Sequence, residues 1–227
     1  IKADARDVVN TIDFTNSPVN VGFYYMQRYT AQKRQESNEL QKQMELTQDA
    51  AAKAKYEQEL LAINDAVLTY QKSLQQEYPG SMLDRLIQVM QKPTIPDAPD
   101  NADQLLFDYL YYKNHYWDNI ELADPGLLRS PLLNSKILDY LDNVIIQMPD
   151  SIIAGVDYVL QTAQANPETF RFVLITLANK YETSPVMGFD EVFVHIVDQY
   201  YLNQDLDWVD EETLKKLEER VASIKPN

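Results

Sequence analysis

Six apolar residues, Tyr56, Leu60, Ile63, Val67, Tyr70 and Leu74, recur at spacings of 4, 3, 4, 3 and 4. This is a heptad seam, a continuous apolar stripe along one side of an α-helix, and such a stripe must be covered by another helix. The segment before it qualifies. From Pro18 to Pro79 no proline intervenes and Gly22 is the only glycine, while Gln, Glu, Lys, Leu and Met, all good helix formers, dominate. Ser17-Pro18 reads as a helix start, and Tyr25, Tyr29, Leu40 and Met44 are the residues expected to meet the seam. Residues 17–78 are therefore expected to form a long antiparallel helical hairpin that turns near Thr47-Gln48-Asp49. One continuous helix that dimerises along 56–74 is the rival reading.

Pro79-Gly80 ends the second helix, and Ser81 caps a short third one with Met82, Leu83, Leu86, Ile87 and Met90 on its apolar face. Pro93, Pro96 and Pro99 then interrupt the chain within seven residues, which no helix accommodates. The expected organisation is residues 1–92 (lead-in, hairpin and short helix), a linker over 93–100, and a second helical domain over 101–227. In that second part Asn101 with Gln104, Ser130-Pro131, Asp150, Asn166-Pro167 and Asp210 mark helix starts. Phe170, Val173, Leu174, Leu177 and Tyr181, like Phe189, Phe193, Ile196 and Tyr200, have helical spacing. A helix–turn–helix unit spans 152–184 without a second copy. The expected fold is all-α, with an irregular multi-helix bundle or solenoid-like stack after the hairpin.

Charge and composition narrow the function. There are 20 Lys+Arg against 35 Asp+Glu, a net −15. Residues 97–227 hold 9 of the former and 23 of the latter, so they carry −14 of it. Such a field repels phosphate backbones and makes nucleic acid and anionic membranes poor candidate partners. Apolar runs such as Val144-Ile145-Ile146 are too short to span a bilayer. With Cys 0, disulfide, thiolate and Cys-zinc chemistry are excluded for this segment, and Gly 5 leaves little for phosphate-cradling loops. No GxGxxG, GxxxxGK[ST] or GxSxG sequence occurs, and the acidic stretch 205–212 lacks EF-hand spacing. No cofactor or catalytic residue is assigned. The chain opens at Ile1 without an n-region or h-region, as expected of a processed protein or an excised fragment.

Two places stand out chemically. His195, with Glu191 and Asp198 nearby in the helix, reads either as a metal ligand or as a half-buried histidine satisfied by a carboxylate. The segment 111–121 packs Tyr111, Tyr112, His115, Tyr116 and Trp117 beside Asp118 and Glu121. Aromatic rings with carboxylates can line a sugar or peptide groove, and they can equally close a helix end over the core. Catalysis by Asp118, Glu121 and Asp124 would need two of them to face each other across a substrate. The expected contact surface is Tyr112, His115, Tyr116, Trp117, Asp118 and Glu121, with Met187, in the loop 184–188, and Trp208. Tyr totals 15, an enrichment that suits binding surfaces as well as cores.

The segments HYWDNIELADPGLLRSPLL (115–133), PDSIIAGVDYVL (149–160), FVLITLANKYETSPVMGFDEVFVHIVDQYY (172–201) and WVDEETLKKLEERV (208–221) together resemble a helical domain of uncharacterised function. That domain is found in bacterial cell-envelope proteins, ahead of a thioredoxin-like domain of the thiol-disulfide oxidoreductase type and often behind a small β-rich domain. The similarity covers about 101–225 well and the hairpin half loosely, through NTIDFTNSPVNVGFY (10–24). It implies an envelope or periplasmic location and a non-catalytic accessory role. The implied partners are a tethered thioredoxin-like domain on the same polypeptide and a protein client. It supplies no functional residues. The Cys-x-x-Cys motif of such proteins is missing here, and Lys225-Pro226-Asn227 falls where a linker into that domain is expected. A free-standing glycan- or peptide-binding module and a self-assembling helical protein are the alternatives.

Overall fold

The computed structural model describes residues 2, 4, 6, 7, 12 and 14–224. Ile1, Asn10, Thr11, Asp13 and Lys225-Pro226-Asn227, which entered the reading above, lie outside them. The described residues are all-α, with no strand among them. They form two compact units, Ile1–Gln88 and Val89–Asn227.

The first unit is built on the expected hairpin. Helix α1 spans Pro18–Leu46 and α2 spans Ala50–Glu77. Asp49 caps α2 by accepting from the Ala51 N–H at 2.9 Å. The two helices pack against each other within the one chain, as the hairpin reading expects. Tyr29 meets Tyr70 with ring centroids 4.6 Å apart. Tyr25, expected in the seam, is exposed. Met26 is buried in its place, because one residue along an α-helix is a rotation of about 100°. The base of the hairpin is sealed by α3 (Met82–Met90), whose Leu83 and Ile87 join Met26 and Leu74 in a buried cluster. Gly80, at φ +68, makes the turn into α3 in a conformation that costs glycine little. Beyond that cluster two helices alone cannot enclose their seam, and Tyr56, Leu60, Ile63 and Val67 stay half-buried.

In the second unit residues 91–103 form no helix. Helix α4 follows over Gln104–Asn114, then a 3₁₀ turn Leu127–Arg129, α5 (Pro131–Asp139), α6 (Pro149–Ala163), α7 (Pro167–Glu182), α8 (Asp190–Ile196) and α9 (Glu211–Ile224). Asn166 accepts from the N–H groups of Glu168 and Thr169, Ser130 from Leu132, and Asp210 from Thr213. Helix α4 is capped by Asp103, not Asn101. Asn101 takes a left-handed φ of +66, and the Asp103 carboxylate is the one that reaches the Leu106 N–H at 3.0 Å. Helices α6, α7 and α8 pack mutually, and α9 lies against α8. Their facing residues form the core, including Ile152, Val156, Phe170, Leu174, Leu177 and Phe193. Both α5 and α8 end in a π-helical turn, Tyr140–Val144 and Val197–Leu202. In α8 that turn seats Ile196, Val197, Tyr200 and Tyr201 all inside.

Candidate functional site

The aromatic segment is organised by the end of α4. The helix stops at Asn114, and the chain turns inward through hydrogen bonds from the Asp118 N–H to the His115 carbonyl and from the Ile120 N–H to the Trp117 carbonyl. Asn119 makes the turn at φ +62. As a result Tyr116 and Trp117 are core residues, 1% and 8% exposed, and offer no surface to a partner. Trp117 lies among the rings of Tyr116, Tyr140 and Tyr158, with centroids 5.2 to 6.5 Å away.

Tyr116 also anchors a polar cluster. Its hydroxyl is 2.6 Å from Asp139 Oδ2 and 3.0 Å from the Lys136 carbonyl oxygen, so it can donate to either. The Lys136 ammonium donates to the Gln91 carbonyl at 3.1 Å and sits 4.1 Å from the Tyr116 ring centroid. Burial holds the Lys136 ammonium below the usual lysine range. Burial alone would raise Asp139. The hydrogen bonds from Tyr116 and Asn143, with the positive charges of Lys136 and Lys92, outweigh it and bring that carboxyl below the usual range. The Tyr116 hydroxyl is pushed far up, by burial first and by Asp139 second. Every group in this cluster therefore has a structural partner.

Above it lies a hollow of about 230 Å³, lined among others by Lys92, Thr94, Tyr111, His115, Asp118 and Asn119. His115 stacks on Tyr111 at 4.0 Å, and its Nδ1 is 2.6 Å from Asp118 Oδ2. The hollow is smaller than the usual range for a small-molecule site. Tyr112 is half-buried and Glu121 is exposed. Asp124 is buried and accepts from the Gly126 N–H at 2.8 Å. The three carboxylates named in the sequence thus have separate surroundings: one holds His115, one holds a loop, and one faces solvent.

His195 is half-buried, and the carboxylate that meets it comes from another helix. Asp157 of α6 places Oδ1 2.7 Å from His195 Nε2, and the same oxygen accepts from the Tyr200 hydroxyl at 2.7 Å. Sequence reasoning missed Asp157, which is 38 residues from its partner. A buried apolar face with one Asp on it was the available signal. Burial, and then Asp157, raise the Tyr200 hydroxyl. No group of three His, Cys, Asp or Glu able to hold a metal occurs among the described residues.

The remaining expected contact residues separate. Trp208 is half-buried, with the Arg171 guanidinium 4.9 Å from its ring centroid and Tyr201 edge-on at 6.3 Å. Met187 stands 96% exposed on its loop. No helix of the described residues is long and apolar enough to cross a membrane.

Residues 31–225 match the family described as domain of unknown function DUF5106, a match that runs through both units. No curated protein and no solved structure matches the chain. The chain belongs to the DUF5106 family.

Proposed function

We propose that the chain is a non-catalytic helical accessory module of a cell-envelope protein. It holds a protein client or partner for a thioredoxin-like domain carried on the same polypeptide. Linkage would raise the effective concentration of a held client at the redox centre, and so speed exchange without any new chemistry. One observation carries the reading. The groups best suited to chemistry, Tyr116 with Lys136 and Asp139, and His195 with Asp157 and Tyr200, are tied to one another as internal supports. Large apolar side chains such as Met187 and Met148 meanwhile stand in solvent. The envelope location and the tethered domain rest on the resemblance of the segments within 101–225.

The test is disulfide trapping in the complete gene product. Replacing the second cysteine of the Cys-x-x-Cys motif by serine stabilises mixed disulfides with clients. The captured clients are then compared with and without residues 18–224. Several-fold loss of client on deletion is the expected result. Equal capture of the same clients would refute client holding, and a gene product without a thioredoxin-like domain would refute the tethered arrangement.

A further inference from the structure

Two short turns of the second unit each expose a pair of apolar side chains, and the two turns touch. In the first, between α5 and α6, the Gln147 side-chain amide lies 2.8 Å from the carbonyl oxygens of both Leu141 and Ile145. The Met148 N–H donates to the Ile146 carbonyl at 2.8 Å. With the backbone locked this way, Ile146 is 52% and Met148 60% exposed. The second turn, between α7 and α8, is held by the Val186 N–H on Ser184 Oγ and the Phe189 N–H on the Val186 carbonyl. It leaves Val186 49% and Met187 96% exposed. At Gly188, φ +85, even a Cβ would come within 3.2 Å of Pro149 Cγ, so the second turn is seated against the first. Met148 and Met187, the chain neighbours of Pro149 and Gly188, are thereby brought close together, with exposed Ile146 and Val186 on the same two turns. Exposed apolar patches are the usual mark of a protein-binding site, and methionine adapts to varied partners.

Charge says what covers it. Residues 137–170 and 181–214, which supply both turns, contain 14 Asp+Glu. Lys136, Arg171, Lys180 and Lys215 bound these stretches, and Lys180 is paired with Asp142 at 2.7 Å, so the excess of carboxylate is large and not complete. Asp150, Asp190 and Glu191 are exposed beside the turns in sequence. A second copy of the chain would bring the same negative field against itself, whereas a cationic partner would be drawn in. We propose that this patch, Ile146, Met148, Val186 and Met187 with its carboxylate rim, docks a basic amphipathic segment of a protein partner. Apolar side chains of that segment rest on the methionines and its Lys or Arg residues meet the rim. The inference rests on the reading of the chain as an interaction module and adds the surface and the chemistry of what it takes.

The test is fluorescence anisotropy of the whole chain with a labelled helical peptide made only of Leu and Lys, the leucines on one face. Binding is expected, and about tenfold loss for a control peptide with Ser in place of Leu, since burying one Met-sized group corresponds to about that factor. Met187→Ser should lose about tenfold, Met148→Ser with Met187→Ser more than that, and Met187→Lys more than Met187→Ser. Asp150→Asn with Asp190→Asn and Glu191→Gln should weaken binding and flatten its salt dependence. Unchanged circular dichroism would confirm that these exposed substitutions leave the fold intact. Equal affinity for the Ser peptide would overturn the proposal, since the acidic field alone would then act. So would variants that bind as the parent does, or a dimer by light scattering that the methionine variants abolish. Failure here leaves the disulfide-trapping result untouched, so the two readings fall separately.

Discussion

Replacing Tyr116 by Phe removes one oxygen from the core and no carbon, so its effect isolates the polar cluster. The lost hydroxyl is 2.6 Å from Asp139 and 3.0 Å from the Lys136 carbonyl oxygen. A hydrogen bond to a charged group contributes about 1.5–3 kcal/mol when well sheltered. Asp139 is exposed at its rim, and solvent screening reduces this to about 1–1.5 kcal/mol. The assay is urea unfolding followed by tryptophan fluorescence. Both tryptophans, Trp117 and Trp208, lie in the second unit, so the signal reports that unit alone. With a urea slope of roughly 2 kcal/mol/M the midpoint should fall by roughly 0.6 M. The loss should be smaller in an Asp139→Asn background, because the two groups act on each other. Its pH dependence has a definite sign. Asp139 is held below the ordinary aspartate value of 3.8 in the folded chain, so its contribution is present above that pH and is lost as pH falls through the lowered folded value. The gap between parent and Tyr116→Phe should therefore be full at neutral pH, start to shrink below pH 3.8 and close as pH falls past the lowered folded value. A Phe variant as stable as the parent at neutral pH, or strict additivity with Asp139→Asn, would refute the reasoning.

Phe193→Ala, at a fully buried position, should destabilise the second unit by about 3–5 kcal/mol, read by the same fluorescence transition. Asn166→Ala removes an oxygen that caps two backbone N–H groups and should cost about 1 kcal/mol, while Asn166→Asp should cost much less. At alkaline pH, burial raises Tyr201 from 10.0 to about 12, and Tyr116, Tyr181 and Tyr200 are raised further. Their contribution to stability is whole below the unfolded value of 10.0 and is lost as pH climbs through the folded values. Tyrosinate absorbance should show these four appearing together with unfolding, and simple independent titration of all tyrosines near pH 10 would contradict their burial.

Local chemistry was readable before any coordinates. Asn166-Pro167, Ser130-Pro131 and Asp210 start helices because capping needs only a side chain and the next turn of backbone. The heptad seam specified the hairpin because its period leaves one stripe to cover. What stayed hidden was direction. The composition of 111–121 announces aromatic packing, but whether Tyr116 and Trp117 point to solvent or inward depends on α4 ending at Asn114. His195 advertised a carboxylate without saying which. Its local candidates Glu191 and Asp198 share its helix, yet Asp157 arrives from α6 through tertiary packing that no short window contains. Asn101 was the expected cap, but it turns the chain at φ +66 and Asp103, two residues on, caps the helix in its place.

The central claim is that these helices hold another protein. The most direct measurement places a photo-crosslinking amino acid at position 187 of the complete protein in its own cells. Illumination should give one discrete adduct that is absent from the same substitution at Leu61, an exposed apolar position on the hairpin. No adduct at 187, or the same smear of products from both positions, would contradict the account.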